Sequence, residues 1–209
     1  MSDRPVAETT GVTIMNPVKI ILGFVPFLLF GVLAHWLAIG WSAVIALVAA
    51  LILVAITARG GLKILPVAQS VIMGVIALVA FIGGSGADNF LTLNARGGAS
   101  LLLGAFIVAT ASVAPFTADF AKQEVPRQYW NTPTFRSVNR KLSTVWGVTV
   151  LVVGVCHIAA AHLDSAGARP ILVLALEWVI PILALVRAVK VTREVAAERP
   201  TTPATDAAA

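Results

Sequence analysis

Charge is what this chain most lacks. Charged residues make up 12% of its 209 positions, about half the ~25% of an ordinary soluble domain. So few cannot solvate a globular surface, which excludes a soluble domain. Cysteine is nearly absent, with Cys156 alone. One cysteine excludes an intramolecular disulfide and any multi-cysteine metal motif, and its plainest reading is a small buried apolar residue. No serine, cysteine or aspartate stands in a recognisable nucleophile context, and no phosphate-cradling glycine motif occurs. The chain is therefore read as no enzyme, with no catalytic residue and no cofactor. The opening MSDRPVAETTGVTIMN mixes acids with polar residues. It lacks the short basic region feeding an apolar core that marks a signal peptide, so the first apolar block is read as a retained helix.

What is present is apolar: 58% of the residues, gathered in blocks near the ~20 residues that cross a bilayer as a helix. Six blocks qualify, at about Val18–Leu37, Trp41–Ala58, Ile64–Gly83, Gly98–Ala114, Leu142–Leu163 and Pro170–Val186. The expected fold class is an all-α, polytopic membrane helix bundle with six transmembrane helices. The expected organisation is a cytoplasmic N-terminal segment at 1–17, a bundle at 18–190 and a disordered cytoplasmic tail at 191–209. Within the bundle, 115–141 is read as a cytoplasmic amphipathic segment.

Lys and Arg set the orientation, because they are retained on the cytoplasmic side. With the N-terminus inside, 13 of the 15 basic residues lie inside, and only Arg96 and Arg169 lie outside. The reverse topology would invert that ratio, so both termini are expected to be cytoplasmic. The formal charge of +5 is thereby a topology signal rather than a mark of nucleic-acid binding. The implied partners are the lipid bilayer, anionic lipids at the cytoplasmic face, and either membrane proteins or a homo-oligomer. Trp36 and Trp41 flank the first outer turn as interfacial anchors, whereas Trp178 lies inside the sixth block. The glycine-rich GGSGADNFLTLNARGG reads as a flexible outer connector, or as a short lid over a vestibule.

After the fourth block, Thr132 followed by Pro133 is a helix-start signal. Phe135, Val138, Leu142 and Val145 then recur at helical spacing, with Arg136, Arg140 and Lys141 off that stripe. This describes a half-amphipathic helix at the cytoplasmic surface that runs on into the fifth block. Its role is interfacial anchoring or partner docking, with Phe135, Arg136, Asn139, Arg140, Lys141 and Trp146 as the docking candidates.

Ionisable residues inside a bilayer are costly and face the protein interior. The six blocks hold four: His35, His157, His162 and Glu177. His35 and His162 stand near the outer ends and read as interfacial. His157 shares a helical face with Ser143, Gly147, Val150, Gly154 and Ala161, and small residues on a face let another helix approach closely. Glu177 lies seven residues inside Pro170, and His157 lies six inside Leu163. At ~1.5 Å per residue both are about 10 Å below the outer surface, so a Glu177–His157 hydrogen bond is expected. Pro181 cannot bond the carbonyl four residues before it, which is that of Glu177. Pro26 frees the Leu22 carbonyl in the same way. Glu177, His157, Pro181 and Pro26 are thus the candidate proton or ligand site. A metal site is not expected: His157 and His162 are five apart, about 140° around a helix, whereas a zinc pair uses i and i+4.

The run TPTFRSVNRKLSTVWG and the early GFVPFLLFGVLAHWLAIGWSAVIALVAAL resemble, in layout, bacterial membrane proteins of the intracellular septation protein A family. The positions carrying the likeness are Phe135, Asn139, Trp146 and Gly147, and it covers about half the chain. The resemblance implies a bacterial inner-membrane protein concerned with envelope or septum maintenance, without catalytic residues. Two functional readings follow. One is a structural or interaction protein of the bacterial cytoplasmic membrane. The other is a small proton- or cation-coupled transporter or channel that uses Glu177 and His157.

Overall fold

The computed structural model describes residues 17–58 and 61–197, and all regular structure among them is helical. The first apolar block is not one helix but two, α1 (Pro17–Gly23) and α2 (Val25–Leu33), broken at Phe24. Pro26 is the cause, since it has no N–H for the Leu22 carbonyl. The chain answers with a tighter bond from Phe24 N–H to Ile21 O, at 2.9 Å. The adjacent Gly23 carbonyl accepts from Nε2 of buried Gln69, at 2.9 Å.

Five helices are long and apolar enough to cross a membrane: α3 (Ile39–Ala58), α4 (Ile64–Ile82), α5 (Gly84–Thr110), α7 (Pro133–Ser165) and the stretch Pro170–Val195. The last comprises α8 (Pro170–Leu174), a π turn (Ala175–Val179) and α9 (Ile180–Ala197). A short α6 (Phe116–Ala121) and a 3-10 turn (Arg127–Tyr129) join α5 to α7.

Three expectations need correction. The glycine-rich outer connector is helical: α5 starts at Gly84, not near Gly98, and only Gly83 separates it from α4. Gly84 has φ 65°, a left-handed conformation that glycine adopts without a Cβ penalty, so the chain reverses at once. Leu91, Ala95, Ala99, Leu103 and Ile107 are buried at steps of four along the new helix. That packing outweighs the poor helix propensity of its glycines. Second, the 115–141 segment does not lie on the surface as one amphipathic stretch. Phe116, Thr117, Ala118, Phe120 and Ala121 are all buried. Thr117 Oγ1 donates to the Asn139 carbonyl at 2.8 Å, and Thr117 N–H donates to Ser143 Oγ at 3.2 Å. Third, the tail expected to be disordered from 191 continues as α9 to Ala197, with Thr192 and Val195 buried. Residues 198–209, and all of the 1–17 segment but Pro17, lie outside the described residues.

The start of α7 is as its sequence implies. Thr132 Oγ1 accepts from Phe135 N–H at 3.2 Å, with Pro133 in the first turn. The helix then runs unbroken for 33 residues, about 50 Å, longer than the ~30 Å hydrocarbon layer.

The α5–α7 crossing is built from missing side chains. A Cβ on Gly104 would stand 2.8 Å from Leu151 N and 2.9 Å from Gly147 O, and one on Gly154 would stand 2.9 Å from Gly97 O. The backbones themselves are in contact, as the small-residue face of α7 implies. Above and below this crossing sit two apolar cores. The first, built on Phe24, Phe116, Leu142 and Trp146, lies toward the α6 end. The second, around Phe30, Met73 and Leu91 with three α3 and α4 alanines, lies toward the other end.

Candidate functional site

The site grows from the last membrane-length stretch. Pro181 lacks an N–H and its ring crowds the turn before it. The helix widens there into the π turn, closed by Ile180 N–H to Ala175 O. Such single wide turns recur at functional positions. Glu177 occupies the middle of this turn and projects toward α2, α5 and α7.

Its carboxylate is not bound to the His157 side chain. Glu177 Oε1 meets Arg96 Nη1 at 2.5 Å and His35 Nε2 at 3.3 Å. The three side chains are 17%, 18% and 25% exposed, so this cluster is largely screened from its surroundings. An unpaired carboxylate there would carry a large desolvation cost, which the guanidinium offsets. His35 completes the cluster in one of two ways. With Nδ1–H donating to the Gly31 carbonyl at 3.1 Å, Nε2 accepts from Arg96 Nη1 at 2.9 Å. With Nε2 protonated, it donates instead to Glu177 Oε1. Trp178 lies against the imidazole, ring centroids 5.5 Å apart.

His157 is close by all the same. Its ring lies beside the backbone of Glu177, whose carbonyl has no Pro181 N–H to accept from. A cavity of about 190 Å³ opens beside this group, bordered by His157, Glu177, Arg96, Pro181, Phe30 and Leu185. At ~30 Å³ per water it has room for about six waters or one small solute, less than the ~300 Å³ at which ordinary ligand pockets begin.

Of the expected site, Glu177, His157 and Pro181 therefore come together. Pro26 does not: it is buried at the break of the first block and does not border the cavity. His162 stands apart at the C-terminal end of α7, with Nε2 3.4 Å from Asn94 Oδ1. Arg96 and His35 are the residues sequence reasoning missed as partners. Arg96 was assigned to a connector outside the bilayer, and the step-of-four run from Leu91 to Ile107 was the signal that could have placed it on a helix.

The docking candidates divide. Phe135, Asn139 and Trp146 are buried and cannot meet a partner directly. Trp146 stacks on Phe24 with centroids 5.6 Å apart, and its Nε1–H donates to Thr192 Oγ1 at 3.1 Å. Arg136, Arg140 and Lys141 are exposed. Among the described residues no group of three or more His, Cys, Asp or Glu side chains is placed to hold a metal.

Comparison with protein-family models, curated proteins and solved structures finds no match to this chain.

Proposed function

We propose that this is a six-pass protein of the bacterial cytoplasmic membrane, with both ends inside, whose role is structural or interactive rather than catalytic. α1 and α2 together make the first, broken pass, and α8 to α9 make the sixth. The sidedness rests on the 13-to-2 distribution of basic residues. The resemblance to the septation family points the interaction toward envelope or septum maintenance.

One observation carries the choice of role. Glu177, the acid a cation or proton carrier would need vacant, is already held by Arg96 at 2.5 Å. Arginine is effectively always charged, so it keeps the carboxylate occupied. In this reading the Arg96–Glu177–His35 cluster is a clamp that fixes the sixth pass against the bundle. The membrane faces of the bundle are otherwise apolar, with Ile56, Val71, Ile82, Leu102 and Val155 all well exposed.

The cavity beside His157 and Glu177 favours a second reading, a small proton- or cation-coupled transporter with those two residues on its path. The test is proton flux in proteoliposomes under an imposed potential, for the wild type and Glu177→Gln. The structural role predicts no flux in either. Flux in the wild type that disappears in Glu177→Gln would establish the transporter instead.

A further inference from the structure

At the α6 end of the bundle, far along α7 from His157, the segment between α5 and α7 folds back against the start of α4. It leaves a cleft of about 950 Å³. Lys122, Arg127 and Arg136 line it, and a neighbouring hollow of about 620 Å³ shares Arg136 and adds Arg140 and Lys141. Five cations thus face two adjoining hollows, against a single acid, Asp119. None of the five belongs to an ion pair among the described residues. Asp119 is committed elsewhere, accepting from Ile64 N–H at 3.3 Å and so capping α4.

The cations are also held in place. Trp130 is fixed by its Nε1–H, which donates to Val125 O at 2.7 Å. Lys122 Nζ lies 5.7 Å and Arg127 Cζ 5.6 Å from its ring centroid, within cation–π range. Arg136 Nη2 reaches Asn131 Oδ1 at 3.5 Å. Positive groups ordered before a ligand arrives lower the entropy cost of binding it. The cleft is not polar throughout. Leu62 and Val113 border it and are 68% and 89% exposed, so an apolar wall stands beside the cationic rim.

We infer that this cleft seats the phosphate-bearing headgroup of an anionic phospholipid, with the phosphate on Arg127, Arg136 and Lys122 and the acyl chains along Leu62 and Val113. Arginine forks suit phosphate oxygens, and basic pockets between membrane helices on the cytoplasmic side bind such headgroups. A zwitterionic lipid brings its own cation and cancels the attraction. A soluble phosphate ester leaves the apolar wall empty. The inference rests on the membrane and sidedness reading given above, and it narrows a diffuse attraction to anionic lipid to one site.

The test is native mass spectrometry of the full chain in detergent, titrated with phosphatidylglycerol or phosphatidylcholine. The wild type is compared with Arg127→Gln/Arg136→Gln and with Arg187→Gln/Arg193→Gln, which removes two cations from α9. The expected result is one phosphatidylglycerol retained by the wild type and by the α9 variant. Retention falls about tenfold or more in the cleft variant, which keeps its thermal transition, and phosphatidylcholine is not retained. Equal retention of the two lipids, or equal loss in both variants, would overturn the proposal. Displacement of the lipid by millimolar glycerol phosphate would overturn it too, in favour of a soluble ligand. Binding in detergent does not depend on orientation. Sidedness is read separately, by impermeant maleimide labelling of Ser137→Cys in a Cys156→Ala background. Labelling from outside the cell would sink the leaflet assignment while leaving the binding result to stand or fall by itself.

Discussion

Two seams hold α7 in this bundle, and they are built on opposite principles. Against α5, α7 offers Gly147 and Gly154 to Gly97 and Gly104, and the contact consists of backbone atoms that no side chain separates. Against α8 and α9, its apolar burial is confined to the α6 end, where Ala188 and Val195 join the first core. Only 6% of the most apolar window of Pro170–Val195 is buried, compared with 44% for α5 and 39% for α7. The last stretch is tied to the bundle by particular bonds: Glu177 to Arg96 of α5 at one end, and Thr192 to Trp146 of α7 at the other. In lipid there is no hydrophobic drive to bring apolar helices together. Close packing and polar bonds are the two remaining means: the first makes the α5–α7 crossing, and the second ties the last membrane-length stretch to the bundle.

The difference makes the seams separable by mutation. The largest loss is expected from Gly104→Leu, which drives a side chain into Leu151 N and Gly147 O. Overpacking of that kind costs about 3 kcal/mol or more where backbone cannot yield, and thermal unfolding in detergent will read it. Gly98→Leu, with nothing within 4 Å of its Cβ, is the control and should be near neutral. Next comes Arg96→Gln, which strands the Glu177 carboxylate. Removing one partner of a buried pair costs about 3 kcal/mol or more. With both groups 17–18% exposed, a loss of about 2 kcal/mol is expected, read by the same melt and accompanied by easier proteolysis after α7. Thr192→Val removes the acceptor of the Trp146 indole and should cost about 1 kcal/mol.

The smallest effect is a matter of pH and belongs to neither seam but to the cap of α4. Burial raises the Asp119 carboxyl above the usual range, more than Ile64 N–H, Lys122 and Lys63 lower it. A group whose folded-state pKa is raised contributes stability that is complete below its unfolded value and lost as pH climbs through the folded one. Stability should therefore decline from about pH 4 upward, and Asp119→Asn should remove that slope. A slope unchanged in Asp119→Asn would contradict this account of Asp119.

Much of this was legible in the sequence. Apolar blocks gave the helical membrane character, because burying backbone polar groups in lipid demands helices. The Thr132–Pro133 start of α7, its small-residue face and the disturbed turn of Glu177 before Pro181 were legible because each rests on local chemistry. What was not legible had non-local causes. Arg96 looked like a connector residue because five nearby glycines, Gly83, Gly84, Gly86, Gly97 and Gly98, mask the apolar step-of-four run. Gly83 and Gly84 serve the turn and Gly97 the α7 contact instead. His35 reads as an interfacial residue until the stretch from α8 to α9 is folded back beside it. Trp146 and Phe135 sit on a basic stretch that looks like a docking surface, and only distant parts of the chain bury them, as Phe24 and Thr192 do at Trp146.

The central claim is that the Arg96–Glu177 pair clamps the sixth pass to the bundle. Exchanging the two charges tests it most directly. The melts of Arg96→Glu, Glu177→Arg and the double exchange are compared in detergent. The clamp predicts that each single change destabilises strongly, by placing like charges together, and that the double exchange recovers at least half of the loss. A double variant no more stable than the worse single one would contradict the account.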